Sequence, residues 1–353
     1  MPVDSFDTAV LNRVVESLPR PNSFILDSFF PMIQAEESEE IHFDIDKSKP
    51  RITPFVHPTK AGKVIPNLGF ETAMFKPAYA KDKRAFQPNA PLKRSIGETI
   101  GGNFSPQQRR DKAVKQAMQD QLEMLTRRET VMAMEALRLG QVTVSGEDYP
   151  TVVVNFNRHA NLTVQLAGVA RWGEAGVSPV KNLETWANSA LPLSGAAMRD
   201  VVVDPLAADL LRADPLWEKM IDRESNRGER NLVDGPVVRG TGDDSAVWLG
   251  RLGMLNIWLY SEPYVDEAGA DQNMMPDYQV ILASRGQGNS GKGGLEGTRC
   301  YGAIQDEEAG YKATRYFAKS WVDKDPPVRW LMLQAAPLIV PYRPNASMGI
   351  RVR

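Results

Sequence analysis

The stretch SPQQRRDKAVKQAMQDQLEMLTRRETVMAMEALRLG, residues 105–140, decides the fold. Ser105 can cap a helix N-terminus, Pro106 fits the first helical position, and Gly140 is the natural stop. No Gly or Pro interrupts the residues between Pro106 and Gly140. Val114, Met118, Leu122, Leu125, Val131 or Met132, Ala136 and Leu139 recur at three- and four-residue steps, which marks one apolar stripe on a helix about 50 Å long. That is about three times the usual globular helix. The stripe is rich in Met and Ala and has no regular Leu or Ile seam, so it predicts packing along a sheet and not a coiled coil.

Upstream of this helix the charge is lopsided. Between Lys47 and Arg94 there are eleven cations (Lys47, Lys49, Arg51, Lys60, Lys63, Lys76, Lys81, Lys83, Arg84, Lys93, Arg94) and two acids (Glu71, Asp82), so the window carries +11 − 2 = +9. Prolines at 50, 54, 58, 66, 77, 88 and 91 leave no room for a helix or a long central strand. Phe55, Val56, Val64, Ile65, Phe70, Met74, Phe75 and Tyr79 lie in short extended pieces around Gly62 and Gly69. The pattern predicts a long two-stranded excursion, and a lone hairpin is marginal in water. Because the rest of the chain carries the compensating negative charge, another copy of the protein is an economical surface for it to lie on. Residues 1–40 read as an arm: helical promise over Asp7–Leu18, breaks at Pro19, Pro21 and Pro31, anchoring aromatics Phe24, Phe29 and Phe30, and an acidic run at residues 36–40.

Downstream, residues 141–144 and 151–156 read as a β-hairpin. Short helices are expected around Leu183–Ser189 and from Asp204-Pro205 to Leu211, with a restart at Asp214-Pro215. Strands are expected at 246–249, 255–260, 278–282, 330–334 and 338–340. The organisation is α+β, with mostly local β-meanders, no βαβ alternation and no internal repeat.

With 353 residues, 42% hydrophobic and 24% charged, the chain has the composition of an ordinary globular protein with a sizeable core, and is long enough for two domains. A net charge of −2 argues against a dedicated nucleic-acid binder. The single cysteine, Cys300, excludes internal disulfides and a Cys-based zinc site and reads as a small buried filler in a reducing compartment. Neither a secretory signal nor a membrane-spanning apolar run is visible, so the expected place of synthesis is the cytoplasm.

His42, His57 and His159 have no partner at metal-ligand spacing, and no Gly-x-Ser-x-Gly elbow occurs. Asp243-Asp244 and Asp306-Glu307-Glu308 read as solvated loop acids or partners for the basic excursion. Trp217, Trp248, Trp258, Trp321 and Trp330 are interleaved with aliphatics and read as core. Gly286 with Gly291-Lys292 nearly matches a phosphate-binding loop. The required hydroxyl is replaced by Gly293, however, and the following residues show no helical period, so a flexible Gly-rich loop is the better reading. No catalytic residue, cofactor or metal is therefore expected.

Specific strings in a fixed order carry a family resemblance. They are Phe29-Phe30-Pro31, the basic Pro-rich excursion, Gln107-Gln108-Arg109-Arg110, Gly140–Val144 and Val203-Asp204-Pro205. Then come Arg299-Cys300-Tyr301-Gly302-Ala303-Ile304-Gln305-Asp306, Ala318-Lys319-Ser320-Trp321-Val322, Asp325-Pro326 and Gln334-Ala335-Ala336-Pro337-Leu338. The chain resembles the major capsid (head) proteins of lambda-type tailed bacteriophages, which have the HK97-type fold. The resemblance implies an N-terminal arm (1–40), an extended loop (41–92), a peripheral domain (93–175 and 322–353) with a spine helix over 105–139, and an axial domain (176–321). It further implies a structural, non-enzymatic subunit that self-assembles into pentamers and hexamers around packaged double-stranded DNA. A separate scaffold protein, a portal protein, a place in the virion after assembly in the bacterial cytoplasm, and for some relatives a decoration protein belong to the same expectation. Inter-subunit contacts are expected at Lys60, Lys63, Lys81, Arg84, Phe55 and Phe29. An encapsulin-like compartment is the alternative within this fold, and a nucleotide-binding enzyme using residues 286–293 the alternative outside it.

Overall fold

A computed structural model describes residues 6–19, 21–38, 40–45, 53, 71–75, 77, 79–87, 104–146, 149–219, 246–285, 294–325 and 328–353. The chain runs α1 (Thr8–Ser17), α2 (Phe24–Phe29), β1 (Met32–Ala35), β2 (Ile41–Ile45), β3 (Glu71–Phe75), β4 (Ala80–Phe86), α3 (Pro106–Leu139), β5 (Gln141–Gly146), β6 (Tyr149–Asn155), β7 (Thr163–Gln165), α4 (Pro179–Ser194), β8 (Asp200–Val203), α5 (Pro205–Arg212), β9 (Ala246–Leu252), β10 (Leu255–Tyr260), β11 (Pro263–Val265), β12 (Asp271–Asn273), β13 (Gln279–Ala283), β14 (Gly297–Tyr301), β15 (Phe317–Val322), β16 (Arg329–Ala335), β17 (Pro337–Pro341) and β18 (Ser347–Arg351).

Helix α3 begins and ends where its signals place it. The Ser105 hydroxyl accepts from Gln108 N–H while the Gln108 side chain accepts from Ser105 N–H, and Gly140 closes the helix at φ 69°. Its buried stripe differs from the expected one at both its apolar and its polar positions. Leu139 is exposed, and Gln121, Thr126, Glu129 and Thr130 are buried among the Met, Ala and Leu positions. Each of these side chains meets a specific partner on another element or in the preceding turn, Gln121 through its amide N–H alone, and such partners are what makes burying a polar side chain tolerable. The helix packs along sheets, against β5, β17 and β18, and also touches α1, α2, β4 and β16.

Among the described residues three apolar clusters make up the core. One lies between α2, the C-terminal half of α3, β5, β6, β14 and β17. A second surrounds the central sheet with α4 and α5. The third holds Phe6, Leu11, Val15 and Leu18 of the arm against Val114, Met118 and Leu122 of α3 and Ala318, Leu331 and Leu333 of β15 and β16. At about 1.5–3 kcal/mol per buried side chain, these four arm residues hold a ten-residue helix that is marginal in isolation.

Local antiparallel pairs such as β2–β3, β5–β6 and β11–β12 occur as expected, but the larger sheets join strands far apart in the chain. The largest has the order β7-β18-β13-β8-β10-β9, with β8 parallel to β10 and β18 parallel to β7. Strand β1 of the arm runs parallel to β14 in a second sheet, β1-β14-β17. β8 (Asp200-Val-Val-Val) and β13 are buried along their whole length. Such strands take central positions wherever they fall in the chain, and an uninterrupted apolar run does not specify its neighbour. Helix α4 is likewise longer than the expected 183–189, because Ser178 with Pro179 caps it early and Gly195 in the left-handed region ends it.

Candidate inter-subunit contact site

The basic excursion is rooted in the body at described residues on both of its flanks. β2 and β3 form its base, with Ile41 opposite Phe75 and the Ile41 side chain fully buried. Beyond β3, Pro77 lies on Gly302, where an added Cβ would stand 2.6 Å from Pro77 Cγ. The Tyr79 hydroxyl donates to Ala303 O at 2.6 Å and accepts from Gln305 N–H at 2.8 Å. β4 then pairs antiparallel with β16 from Ala80–Ala335 to Phe86–Arg329, and β15 completes the sheet.

Alternation along β4 exposes Lys81, Lys83 and Ala85 and turns Asp82, Arg84 and Phe86 inward. Arg84 reaches Asp82 at 3.3 Å and Asp120 of α3 at 3.2 Å, and Gln121 of α3 donates to Asp82 O at 3.2 Å. On the outer face the Lys83 ammonium sits 3.8 Å from the Trp330 ring centroid and 5.1 Å from that of Trp321.

The strings that carried the resemblance meet beside this root. Tyr301 OH donates to Glu129 Oε1 at 2.8 Å, and Arg315 donates to Glu129 Oε2 at 3.3 Å. Burial pushes the Glu129 carboxyl up against the pull of Arg315, Tyr301 and Arg299. The same carboxylate outweighs burial at Arg315 and holds its proton more firmly. Asp306 binds Lys319 Nζ and accepts from Gln334 Nε2 at 2.9 Å, tying residues 299–306, 318–322 and 334–338 together.

Burial opposes ionisation of Asp306, but Lys319, Gln334 and Glu308 N–H outweigh it and keep its carboxyl below the usual range. A depressed folded value means that its contribution is fully present above the unfolded value of about 3.9 and fades as pH falls through the folded one. Asp306→Asn is therefore expected to lower stability by about 1.5–3 kcal/mol at neutral pH. In denaturant titrations from pH 7 to 3, its deficit relative to the unaltered chain should shrink below pH 4.

The expected contact residues fall into three groups. Lys60, Lys63 and Phe55 lie outside the described residues. Lys81 is exposed, its ammonium 5.2 Å from the Tyr79 ring centroid, and Arg84 is engaged with acids of its own chain. Phe29 is corrected: it is 0% exposed, packed with Ile25, Leu26 and Phe30 and edge-on to Phe24, so it anchors the arm to its own subunit. Sequence reasoning overlooked Tyr79, Pro77 and Gly302 as root residues, although the string containing Gly302 had stood out.

Other motifs resolve differently from their sequence reading. Asp306 is a partly buried hub and not a solvated loop acid. Of the five tryptophans expected in the core only Trp217 is buried. Trp321 and Trp330 pair across β15 and β16 under Lys83, and Trp258 lies beside Arg285 with its indole N–H on Asp200. The fully buried tryptophan is Trp172, stacked on Trp186. Cys300 is buried as expected, its thiol pushed up to about 12, chiefly by burial. Residues 286–293 lie outside the described residues. The flanking elements are strand β13 and strand β14, and among the described residues no α-helix follows β13, so no described helix N-terminus follows to face a phosphate.

A long spine helix on sheets, an arm folded back on its own subunit and a rooted basic excursion define the class: a shell-forming subunit with the phage-capsid fold. The chain belongs to the family described as Phage major capsid protein E, whose model matches residues 7–352. The major capsid protein of Escherichia phage lambda is 27% identical, covering 98% of this chain and 99% of that one, and the major capsid protein of Enterobacteria phage phi80 is 28% identical at the same coverage. Among solved structures, a prophage capsid protein of E. coli CFT073 superposes with a TM-score of 0.70 at 19% identity over 97% of this chain and 96% of its own. A phage-related protein from Bordetella bronchiseptica RB50 gives 0.54 at 10% identity over 98% and 97%. The protein is a structural capsid subunit and not an enzyme.

Proposed function

We propose that identical copies of this chain close an icosahedral head as pentamers and hexamers, with the extended loop of each copy lying on the next. In this reading residues 1–40 are the arm, 41–92 the loop, 93–175 with 322–353 the peripheral domain, and 176–321 the axial domain. The observation that carries it is the +9 charge of residues 47–94 in a chain of net charge −2, a segment that is itself anchored to the body through Tyr79 and β4. Heterologous contacts of this kind propagate around five- and six-fold axes when the rotation closes. The shell encloses double-stranded DNA without gripping it through many phosphate contacts. It is built in the host cytoplasm with a separate scaffold protein and a portal, and its outer surface is open to a decoration protein.

Lys60, Lys63 and Lys81, with Phe55, are the residues assigned to the neighbour. Arg84 is left out of the test because reversing it would strand Asp82 and Asp120. Lys60→Glu/Lys63→Glu/Lys81→Glu is expected to leave the subunit folded and to abolish closed shells in electron micrographs and sedimentation profiles. Normal shells from that variant would refute the docking reading.

A further inference from the structure

We propose that Tyr79 is a positioning residue for assembly, fixing the point at which the chain of the excursion joins the body. The inference rests on the reading that the excursion docks on a neighbouring copy. Its support is geometric and lies within the described residues. The phenol bridges two backbone groups of one turn, donating to Ala303 O at 2.6 Å and accepting from Gln305 N–H at 2.8 Å. That turn is itself braced, since Ala303 bridges Ala313, Ile304 N–H donates to Lys312 O at 3.1 Å, and Asp306 holds Lys319 and Gln334.

Two residues before Tyr79, Pro77 rests on Gly302, which has no room for a side chain there, and Gly302 N–H donates to Ala336 O at 3.0 Å. Immediately after it, β4 enters a seven-residue ladder with β16. Tyr79 therefore stands between two contacts with the body, at Pro77 and along β4, and its phenol oxygen is the polar pin between them.

Two hydrogen bonds are a small part of the stability of a folded domain. The expected consequence is a fault in shell geometry with little change in subunit folding, which separates positioning from a merely structural role.

The full chain is co-expressed with its genetic neighbours as the unaltered protein, as Tyr79→Phe, as Gly302→Ala and as Lys60→Glu/Lys63→Glu. Tyr79→Phe keeps the ring and removes only the pin, so it decides the matter if Gly302→Ala fails to fold. Unfolding midpoints are measured on purified subunits, and shell yield and diameter by sedimentation and electron microscopy. Tyr79→Phe is expected to keep its midpoint within a few degrees while the yield of closed, uniform shells falls at least tenfold. Uniform shells of normal diameter and yield from Tyr79→Phe, or shell loss that follows a lowered midpoint, would overturn the positioning role. Normal shells from Lys60→Glu/Lys63→Glu would instead remove the docking reading, and this inference with it. A charge-reversed chain that fails while Tyr79→Phe assembles normally overturns only the role of Tyr79.

Discussion

Glu129→Ala is expected to destabilise the folded subunit by about 3–5 kcal/mol, the cost of breaking a buried ion pair by removing one partner. Glu129 is 0% exposed in the middle of α3, and its two oxygens receive Tyr301 OH and Arg315. Truncation leaves the Arg315 guanidinium in a low-dielectric site without its anion and strands the Tyr301 hydroxyl at the same time. Equilibrium urea denaturation of purified, unassembled subunits measures the loss. Glu129→Met/Arg315→Met is expected to recover a large part of it, because apolar side chains of similar volume replace buried pairs at little cost. A loss below about 1 kcal/mol in the single variant would mean that Arg315 finds water or another acid.

Gly349→Ala is the second large effect, and its cause is steric. β18 lies between β13 and β7 in the central sheet, and Gly349 passes directly beneath the last turn of α3. A Cβ at this position would collide with the Arg138 carbonyl, which also accepts from Arg158 Nη2 at 2.6 Å. Arg158 simultaneously caps Leu137 O, so the helix end cannot shift without losing both bonds. With rigid backbone on each side, the penalty should exceed the 1–3 kcal/mol of ordinary overpacking. The expected result is an almost complete loss of soluble folded subunit, read from yield and from the far-ultraviolet spectrum. A variant that folds within 1 kcal/mol of the unaltered chain would show that the strand and helix can separate.

Local chemistry made much of this fold readable in the chain. Ser105, Pro106 and Gly140 bounded a 34-residue helix, and the Asp204-Pro205 signal placed α5, because caps act through groups a few residues apart. The hairpin of β5 and β6 was legible for the same reason. Sheet order was not, since the parallel neighbours β8 and β10 begin 55 residues apart and a uniformly apolar strand fits any partner. The partners of the acids were hidden as well: Glu129 drew no reading, Asp204 was legible only as a cap and Asp306 only as a loop acid or a partner for the excursion, until Tyr301, Arg315, Gln279 and Lys319 arrive from distant parts of the chain.

The contact site divides along the same line. Charge is additive along the chain, so the +9 of residues 47–94 is a property of the sequence alone. Which of those cations remain available to a neighbour is decided by the tertiary structure, because β4 joins β16 and alternation then turns Arg84 toward Asp120 while leaving Lys81 outside. Phe29 shows the converse: an arm aromatic can serve its own core or a neighbour's surface, and burial against Ile25, Leu26 and Phe30 settles that choice through packing that no short stretch encodes. Short-range sterics, capping and net charge were therefore determined by the sequence itself. Strand order, buried ion pairs and the root at Tyr79 depend on residues brought together from far along the chain, and only the closed tertiary structure places them.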